Sequence, residues 1–145
     1  MDEKTAAKQS FMPLMRELVR AYQAFAAYDA LGYRDVDLTV PQADVLFTLG
    51  NTNGLTFKEI GEKTLITKGT LTGIIDRLEQ KGLVERVACP EDRRCTRATL
   101  TRQGRSLFRK EFPRQIQHLR ERFGRLSKAD QTQMIRSLRK LRSIF

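Results

Sequence analysis

One segment of the sequence, residues 67–77, carries side chains suited to contacting nucleic acid. Its positions outside the apolar stripe are dominated by short hydroxyls, glycines and cations, namely Thr67, Lys68, Gly69, Thr70, Thr72, Gly73 and Arg77, whereas the carboxylates Asp76 and Glu79 lie later in the helix. Threonine offers a hydroxyl to any base and a methyl group to thymine, lysine reaches guanine or phosphate, and glycine lets the backbone approach base edges. We expect this surface to enter a DNA major groove; the alternative is an ordinary solvated helix face.

A second candidate contact is the charged run that contains Arg93 and Arg94. Guanidinium groups on a narrow loop are attracted by the concentrated negative potential of the DNA minor groove. Asp92, beside them, would repel phosphate if it were free. We expect it to hold the shape of the loop by pairing with an arginine, for which the candidates are Arg94, Arg86 and Arg77. Arg86 is also counted among the DNA-contacting cations. A solvated charged turn is the alternative.

Two cysteines, Cys89 and Cys95, flank the same loop at three residues on either side of Asp92. They face each other if the hairpin register is symmetric. A disulfide there would alter the tip that touches DNA, so thiol-dependent regulation is a hypothesis; the default interpretation is that both cysteines are incidental. His118 and Glu121, three residues apart on a helix, are interpreted as a solvated pair in preference to a metal or ligand site.

The placement of these candidates depends on two short helices. Thr56 followed by Glu59 is a capping box that begins a helix at residues 57–63, and Thr56 and Lys58 are counted among its DNA contacts. In the second helix, residues 67–81, an apolar stripe must face the core. That stripe consists of Leu71, Ile74, Ile75 and Leu78.

A β-hairpin is predicted directly after the second helix, which Gly82 ends. Its strands are the runs at residues 83–87 and 97–100. Two short helices joined tightly, with a hairpin after the second, form the winged helix-turn-helix arrangement. The sequence therefore predicts a mainly α fold with a small β-hairpin wing, in which the helix at 67–81 reads DNA.

A long helix is predicted before this lobe. Residues 11–30 repeat apolar side chains at helical spacing, with Pro13 in the first turn and Ser10 as the N-cap. Thr39 and Pro41 then begin another helix, in which Thr39 precedes the first turn.

Two further helices are predicted after the wing. Thr101 caps a helix that extends toward Phe123, and Pro113 should kink it or divide it into two segments. Ser127 with Asp130 caps the last helix.

These elements predict one intertwined domain with three parts. Residues 1–38 form an N-terminal dimerisation helix, residues 39–100 the DNA-binding lobe, and residues 101–145 a C-terminal linker with dimerisation helices. The first and last helices offer broader apolar faces than one small lobe can cover, so we expect a second copy of the chain to cover them. Two-fold symmetry would then place DNA half-sites roughly 10 base pairs apart.

The charge of the chain favours polyanionic partners. Its 145 residues contain 27 Lys and Arg against 17 Asp and Glu, a net charge of +10, and nucleic acid is the first candidate. Residues 101–145 hold 13 basic and 3 acidic side chains, whereas residues 67–100 hold 7 and 5. The reading segment is therefore mildly basic, and nonspecific attraction to phosphate must come largely from the wing and the C-terminal helices.

Several classes of function lack their usual signals. The sequence has no glycine-rich phosphate loop, no zinc-spaced cluster and no histidine near either cysteine, so we expect no enzyme, metal or cofactor. No run of about 20 uncharged apolar residues predicts a membrane span. The first residues lack the basic-then-apolar order of a secretory signal, so the expected location is the cytoplasm.

Four short motifs resemble the pattern of the MarR family of multiple-antibiotic-resistance regulators: Thr39-Val40-Pro41-Gln42, Leu83-Val84-Glu85-Arg86, Asp92-Arg93-Arg94 and Leu100-Thr101-Arg102-Gln103-Gly104. The resemblance covers nearly the whole chain. It implies a homodimeric transcription regulator, in the first instance a repressor, that binds a pseudo-palindromic operator. It also implies a small effector, often phenolic or lipophilic, between the dimer helices and the DNA-binding lobe. In this comparison Thr67, Lys68, Thr70 and Thr72 match the reading helix, and Arg94 matches the wing arginine.

Two other functions stay open at this point. The large positive charge of the C-terminal third suits a sequence-neutral architectural DNA binder. A winged helix can also serve as a protein-interaction module, here with a thiol-responsive wing, because a fold does not determine a function.

Overall fold

The computed structural model describes all 145 residues as seven helices and three short strands. In chain order the elements are α1 (Glu3–Ala7), α2 (Met12–Leu31), α3 (Val40–Leu49), β1 (Leu55–Thr56), α4 (Phe57–Lys63), α5 (Lys68–Gln80), β2 (Val84–Ala88), β3 (Thr96–Leu100), α6 (Arg102–Phe123) and α7 (Lys128–Arg142).

The apolar core lies in the winged helix-turn-helix lobe, between α3, α4, α5 and the sheet, and Phe108 of α6 packs against it. All four residues of the predicted α5 stripe are buried, as expected. Full burial of one large aliphatic side chain contributes roughly 1.5–3 kcal/mol. The largest fully buried side chains are Val45, Leu46, Leu49, Ile60, Leu71, Ile75 and Leu78. This core fixes α5 with its remaining faces turned outward.

Local capping begins the helices at the predicted residues. The Thr39 hydroxyl accepts a hydrogen bond from the backbone of Gln42, whose side chain accepts one from the Thr39 backbone, and Thr56 and Glu59 form the same reciprocal pair. Ser127 likewise accepts from the Asp130 backbone. Each such cap is worth about 1 kcal/mol because it satisfies backbone N–H groups that have no partner inside the helix.

The ends of α5 agree with prediction in position. Thr67 is the N-cap residue, but its hydroxyl donates to the Thr70 hydroxyl at 3.1 Å and makes no capping bond to the backbone. Gly82 follows the helix with φ of 70°. This left-handed conformation is strained for residues with a Cβ, so glycine is well suited to end α5 and to turn the chain into the wing.

The sheet has the strand order β1-β3-β2, and both pairings are antiparallel. Val84 pairs with Leu100 and Ala88 with Thr96, which confirms the predicted hairpin. The third strand was not predicted. It consists of Leu55 and Thr56, and it joins the edge of β3 immediately before α4.

One prediction about the long helices is wrong, and another is narrowed to one of its two alternatives. The N-cap of α2 is Phe11, not Ser10, and it makes no side-chain capping bond, although Pro13 does lie in the first turn. Of the two outcomes predicted for Pro113, division into two segments is excluded because α6 is continuous from Arg102 to Phe123, and a kink stays a prediction. Glu111 and Gln115, on either side of the proline, are buried.

The C-terminal half of α2 is fastened to α6 by a polar and aromatic junction. The rings of Tyr28 and His118 stack with centroids 4.1 Å apart, and the Tyr28 hydroxyl donates to the His118 carbonyl at 3.0 Å. The same hydroxyl lies 3.3 Å from Glu121 Oε2. The interpretation of His118 and Glu121 as a solvated pair is therefore wrong, because both hold α2 against α6.

Gln115 approaches Gly32 closely at this junction. A Cβ at that position would lie 1.8 Å from Gln115 Oε1. The adjacent amide nitrogen, Gln115 Nε2, donates to both the carbonyl and the carboxylate of Asp29.

The outer helices leave large apolar faces uncovered. Neither α2, with 20 residues, nor α7, with 15, has a single buried residue. The exposed apolar side chains of these helices and of the C-terminal half of α6 include Leu14, Leu18, Val19, Ile116, Phe123, Met134, Ile135 and Leu138. None of the helices has the length and hydropathy required to cross a membrane.

Candidate nucleic-acid interface

The outward face of α5 is built from small and cationic residues, as the sequence predicted. Lys68, Gly69, Thr70, Thr72 and Arg77 are all exposed, opposite the buried stripe. A Cβ added at Gly69 or at Gly73 would meet nothing within 4 Å. The fold therefore leaves the backbone of this face open, and a groove wall can approach it closely.

Arg86 of β2 reaches back to α5 and ties the wing to the reading helix. Its guanidinium donates to Asp76 Oδ1 at 2.6 Å and to Glu79 Oε2, and it lies over the Phe57 ring, 5.4 Å from the centroid. The hydrogen bond to Asp76 is the main cause that raises the pKa of Arg86. The bridge offsets one of the two negative charges of Asp76 and Glu79, which would otherwise repel phosphate. We therefore retain Arg86 as a positioning residue of the interface.

The wing tip is shaped by backbone hydrogen bonds. Asp92 Oδ1 accepts from the Arg94 backbone N–H at 2.9 Å, and the Asp92 carbonyl accepts from the Cys95 N–H at 3.0 Å. Asp92 takes part in no ion pair, so the expected pairing with an arginine side chain is wrong. Arg93 and Arg94 are exposed and are likewise free of carboxylate partners.

A disulfide joins Cys89 and Cys95 across the base of this tip, with Cα atoms 5.3 Å apart. The two cysteines therefore face each other across the hairpin, whereas the choice between incidental cysteines and thiol-dependent regulation stays a prediction. The Cys89 N–H also donates to the Cys95 carbonyl at 3.0 Å. The bond closes a short loop that contains Arg93 and Arg94, which restricts the positions that their side chains can reach.

The remaining DNA-contact candidates, Thr56, Lys58 and Arg77, lie at different places around α4 and α5. The Thr56 hydroxyl is engaged in the capping box with Glu59. Lys58 is exposed. Together with Lys68 it lines a surface cleft of about 490 Å³ between the starts of α4 and α5. Arg77 lies at the opposite end of α5, beside Lys81 and the start of α3.

The structure also brings together residues that sequence reasoning missed. A cleft of about 420 Å³ lies between α2, α3 and the turn before α5, and its lining includes Asp29, Tyr33 and Asp44. Burial is the main cause that raises the pKa of the Tyr33 hydroxyl and of the Asp44 carboxyl. These residues come from separate elements, so no local sequence pattern links them.

The lobe, its outward α5 face and its cationic wing define a winged helix-turn-helix protein of the DNA-binding class. The MarR family model matches residues 38–96. The transcriptional regulator MhqR of Bacillus subtilis is 32% identical over 113 residues, which are 78% of this chain and 78% of MhqR. The chain therefore belongs to the MarR family of DNA-binding transcriptional regulators.

Two further similarities agree with this assignment. YfiV of Bacillus subtilis, an HTH-type transcriptional regulator, is 36% identical over 81 residues, which are 56% of this chain and 51% of YfiV. The chain thus spans about half the length of that relative. The structure of Bordetella bronchiseptica BpsR, whose DNA binding is regulated by 6-hydroxynicotinic acid, is 30% identical with a TM-score of 0.79 over 92% of this chain and 95% of BpsR.

Proposed function

We propose that the chain is a homodimeric repressor that binds a pseudo-palindromic operator in the cytoplasm, by binding alone and without catalysis. In each subunit α5 enters the major groove, where Lys68, Thr70 and Thr72 contact base edges, and Arg94 of the wing enters the minor groove. The open α5 face next to Gly69 and Gly73 is the observation that carries this proposal, because nothing inside the fold occupies it.

The exposed apolar faces of α2 and α7 support the dimer. Most helical stability comes from the packing of an apolar face. Helix α2 has 20 residues and none of them is buried, so packing within one subunit does not offset the conformational entropy that the helix loses on ordering. A second copy of the chain buries the faces of α2, α6 and α7 together. The dimer axis then lies near these helices, with one lobe on each side.

The junction between α2 and the lobe supports regulation by an effector. The cleft of about 420 Å³ contacts both the proposed dimer helix and the turn that precedes α5. A ligand there would influence the spacing of the two lobes. BpsR provides a similar case, since a small molecule regulates its binding to DNA.

Selection of bound duplexes from a random library tests the operator. A palindrome with half-sites about one helical turn apart is expected. Arg94→Ala should then weaken operator binding by about 1–3 kcal/mol, and Thr70→Ala should change base preference more than it changes nonspecific affinity. Unchanged binding in both variants would contradict the proposed docking.

A sequence-neutral DNA binder is the second candidate, favoured by the 13 basic against 3 acidic residues in positions 101–145. Specific and nonspecific affinities at matched salt separate the two functions. A regulator should bind its selected operator at least about 10³-fold more tightly than random DNA, whereas a neutral binder shows a ratio near one.

A further inference from the structure

The first turns of α6 carry a row of arginines that the subunit leaves without acidic partners. Arg102, Arg105 and Arg109 are spaced three and four residues apart, which places them on one face of the helix. None of the three takes part in an ion pair. Arg102 and Arg109 are exposed, and Arg105 is half-buried. Between Asp92 and Glu111 the chain contains seven cationic and no acidic residues, so no carboxylate nearby in sequence offsets the row.

The turn after α3 lies beside this row and adds neutral hydrogen-bonding groups. Gly50 contacts the Phe108 ring so closely that a Cβ at this glycine would lie 2.1 Å from Phe108 Cε2. This contact fixes the turn at residues 51–53 next to α6. A cleft of about 310 Å³ is lined by the turn, Arg105 and Arg109, and a second, of about 490 Å³, continues along the same face of α6. The arginine patch is defined here as Arg102, Arg105, Arg109, Asn51, Thr52 and Asn53.

The arginine patch lies away from the proposed DNA contacts of the lobe. The start of α6 is joined to the C-terminal end of α5, because the Thr101 hydroxyl donates to the Gly82 carbonyl at 2.6 Å and the Thr101 N–H donates to the Leu83 carbonyl at 3.1 Å. Helix α5 has 13 residues, so its N-terminal end lies roughly 20 Å from this junction. Strand β3 separates the junction from the wing tip by roughly 17 Å. Both distances exceed the electrostatic screening length of about 8 Å at physiological ionic strength, so the contacts of α5 and the wing do not account for the patch.

The composition of the patch favours nucleic acid over protein as its partner. Protein interfaces have an apolar core with aromatic anchors, whereas protein–DNA interfaces are polar and strongly positive. Phe108 is the one apolar residue that lines either cleft, and it is buried. Arginine, asparagine and threonine are among the residue types that contact phosphate and sugar oxygens. The patch therefore has the chemistry of a surface that binds the DNA backbone.

We propose that the arginine patch binds the phosphodiester backbone of duplex DNA without regard to sequence, as a contact surface additional to α5 and the wing. The guanidinium groups of the row pair with phosphate oxygens, and the amides of Asn51 and Asn53 donate to oxygens beside them. The phosphates belong either to DNA that flanks the operator and bends toward the lobe or to a second duplex. Only the separation of the patch from the reading surface rests on the proposed function.

Fluorescence anisotropy of the full chain with a random-sequence duplex, measured over a range of salt concentrations, tests the inference. Arg105→Ala and Arg109→Ala should each weaken binding about threefold or more and reduce the slope of log affinity against log salt by about one, because each lost phosphate contact releases fewer counterions. Arg105→Lys and Arg109→Lys keep the charge and should keep the slope. Thermal unfolding of each variant confirms that folded proteins are compared.

Arg125→Ala is the matched control, because it removes the same charge at an exposed position beyond the C-terminal end of α6. It should leave the salt slope unchanged. An equal loss in this control would show a general effect of net charge and overturn the inference, as would an unchanged slope in both patch variants. Poly-L-glutamate is the second probe. If the patch variants lost poly-L-glutamate binding and kept full affinity for random DNA, the patch would bind an acidic protein segment and the inference would be wrong.

Operator duplexes of two lengths distinguish the two sources of phosphate. Contact with flanking DNA predicts tighter binding of a long duplex than of one trimmed to the palindrome, and the patch variants should lose this gain. Contact with a second duplex predicts energy transfer between a labelled trimmed operator and a labelled random duplex, again lost in the patch variants. Absence of both effects would overturn the inference. Failure to select any operator would instead contradict the proposed function, and the salt slopes with random DNA would still decide whether the patch binds DNA.

Discussion

Among single residues, Gly69 is the clearest sign that α5 has an external partner. Glycine in a helix interior costs roughly 0.5–1 kcal/mol relative to alanine. A Cβ at Gly69 would meet nothing within 4 Å, so packing inside the subunit does not require the glycine. In the proposed docking a methyl group at this position would separate the backbone from the base edges, which gives the glycine a purpose.

Gly69→Ala should therefore separate stability from function. Because Gly69 is the second residue of α5, we expect the free energy of unfolding to rise by at most about 0.5 kcal/mol, below the helix-interior value, and the operator affinity to fall by about 1 kcal/mol or more. Chemical denaturation and fluorescence anisotropy measure the two quantities. Ser106→Ala, an exposed helix substitution in α6, should raise stability slightly and leave operator affinity unchanged. A Gly69→Ala variant with full operator affinity would remove this helix face from the interface.

Asp44 gives a prediction for the pH dependence of stability. Its pKa is raised above the ordinary 3.8 by burial and by Asp29, so the ionised form is disfavoured in the folded state. The stability that this carboxyl contributes is complete below pH 3.8 and is lost as the pH rises through the folded-state pKa. Asp44→Asn should stabilise the protein at pH 7 by at most about 0.5 kcal/mol, since solvent screens the open side.

Denaturation curves at pH 7 and below pH 3.8 measure this effect. The difference between Asp44→Asn and the parent should vanish at the lower pH, where the wild-type carboxyl is protonated in both states. Asp29 and Tyr33 are the titratable groups that face Asp44 in the cleft. A variant that is less stable than the parent at pH 7 would show that the Asp44 carboxylate is satisfied by a contact.

The chemical type of the interface residues was predictable, but their partners were not. Local sequence showed that α5 and the wing would expose threonine, glycine and arginine. It did not show that Arg86 would bridge Asp76 and Glu79, because that contact depends on how β2 lies against α5. The cleft carboxylates Asp29 and Asp44 were missed for the same reason, since α2 and α3 meet only in the folded chain.

Among the elements, the wing is the one whose shape depends on a covalent bond. The disulfide between Cys89 and Cys95 closes the loop that carries Arg93 and Arg94. Reduction by a dithiol would convert the disulfide to two thiols, and backbone hydrogen bonds would then hold the loop without a covalent link. Ordering one backbone residue costs roughly 1–2 kcal/mol of conformational entropy. The tip of the reduced wing would lose this entropy when it binds DNA, which lowers the affinity.

Reduction with dithiothreitol should therefore weaken operator binding by about 1 kcal/mol, roughly fivefold. Anisotropy before and after reduction, with free thiols counted in each sample, measures the change. Cys95→Ser, which cannot form the bond, should show the weaker affinity under both conditions. If the oxidised and reduced proteins bound equally, the disulfide would have no regulatory role at the interface.

Element boundaries were predictable where a cap defined them. Thr39, Thr56 and Ser127 begin their helices because the hydroxyl acts within three residues of the chain. Strand β1 has two residues and exists through its pairing with β3, so its own sequence carries no signal. The continuity of α6 through Pro113 has no local signal either, because proline lacks the backbone donor.

In the whole molecule, the C-terminal third combines a high positive charge with exposed apolar side chains. Residues 101–145 hold 13 of the 27 basic residues, while α7 exposes Met134, Ile135 and Leu138. A dimer reconciles these features, because two copies cover the apolar faces and leave the arginines exposed. The same arrangement sets the distance between the two reading helices, so operator affinity should depend on a surface far from any base.

Leu138→Asp tests this dependence. Leu138 is 57% exposed in the subunit, so an aspartate there should not disturb the lobe core, whereas burial of its charge at a dimer interface would cost several kcal/mol. We expect sedimentation to show a folded monomer and the palindromic operator to be bound at least about 100-fold more weakly. Gln133→Asp, an exposed change with the same gain of negative charge, is the matched control and should remain dimeric. A Leu138→Asp protein that stays dimeric would place the interface elsewhere, and a monomer with full affinity would show that one reading helix is sufficient.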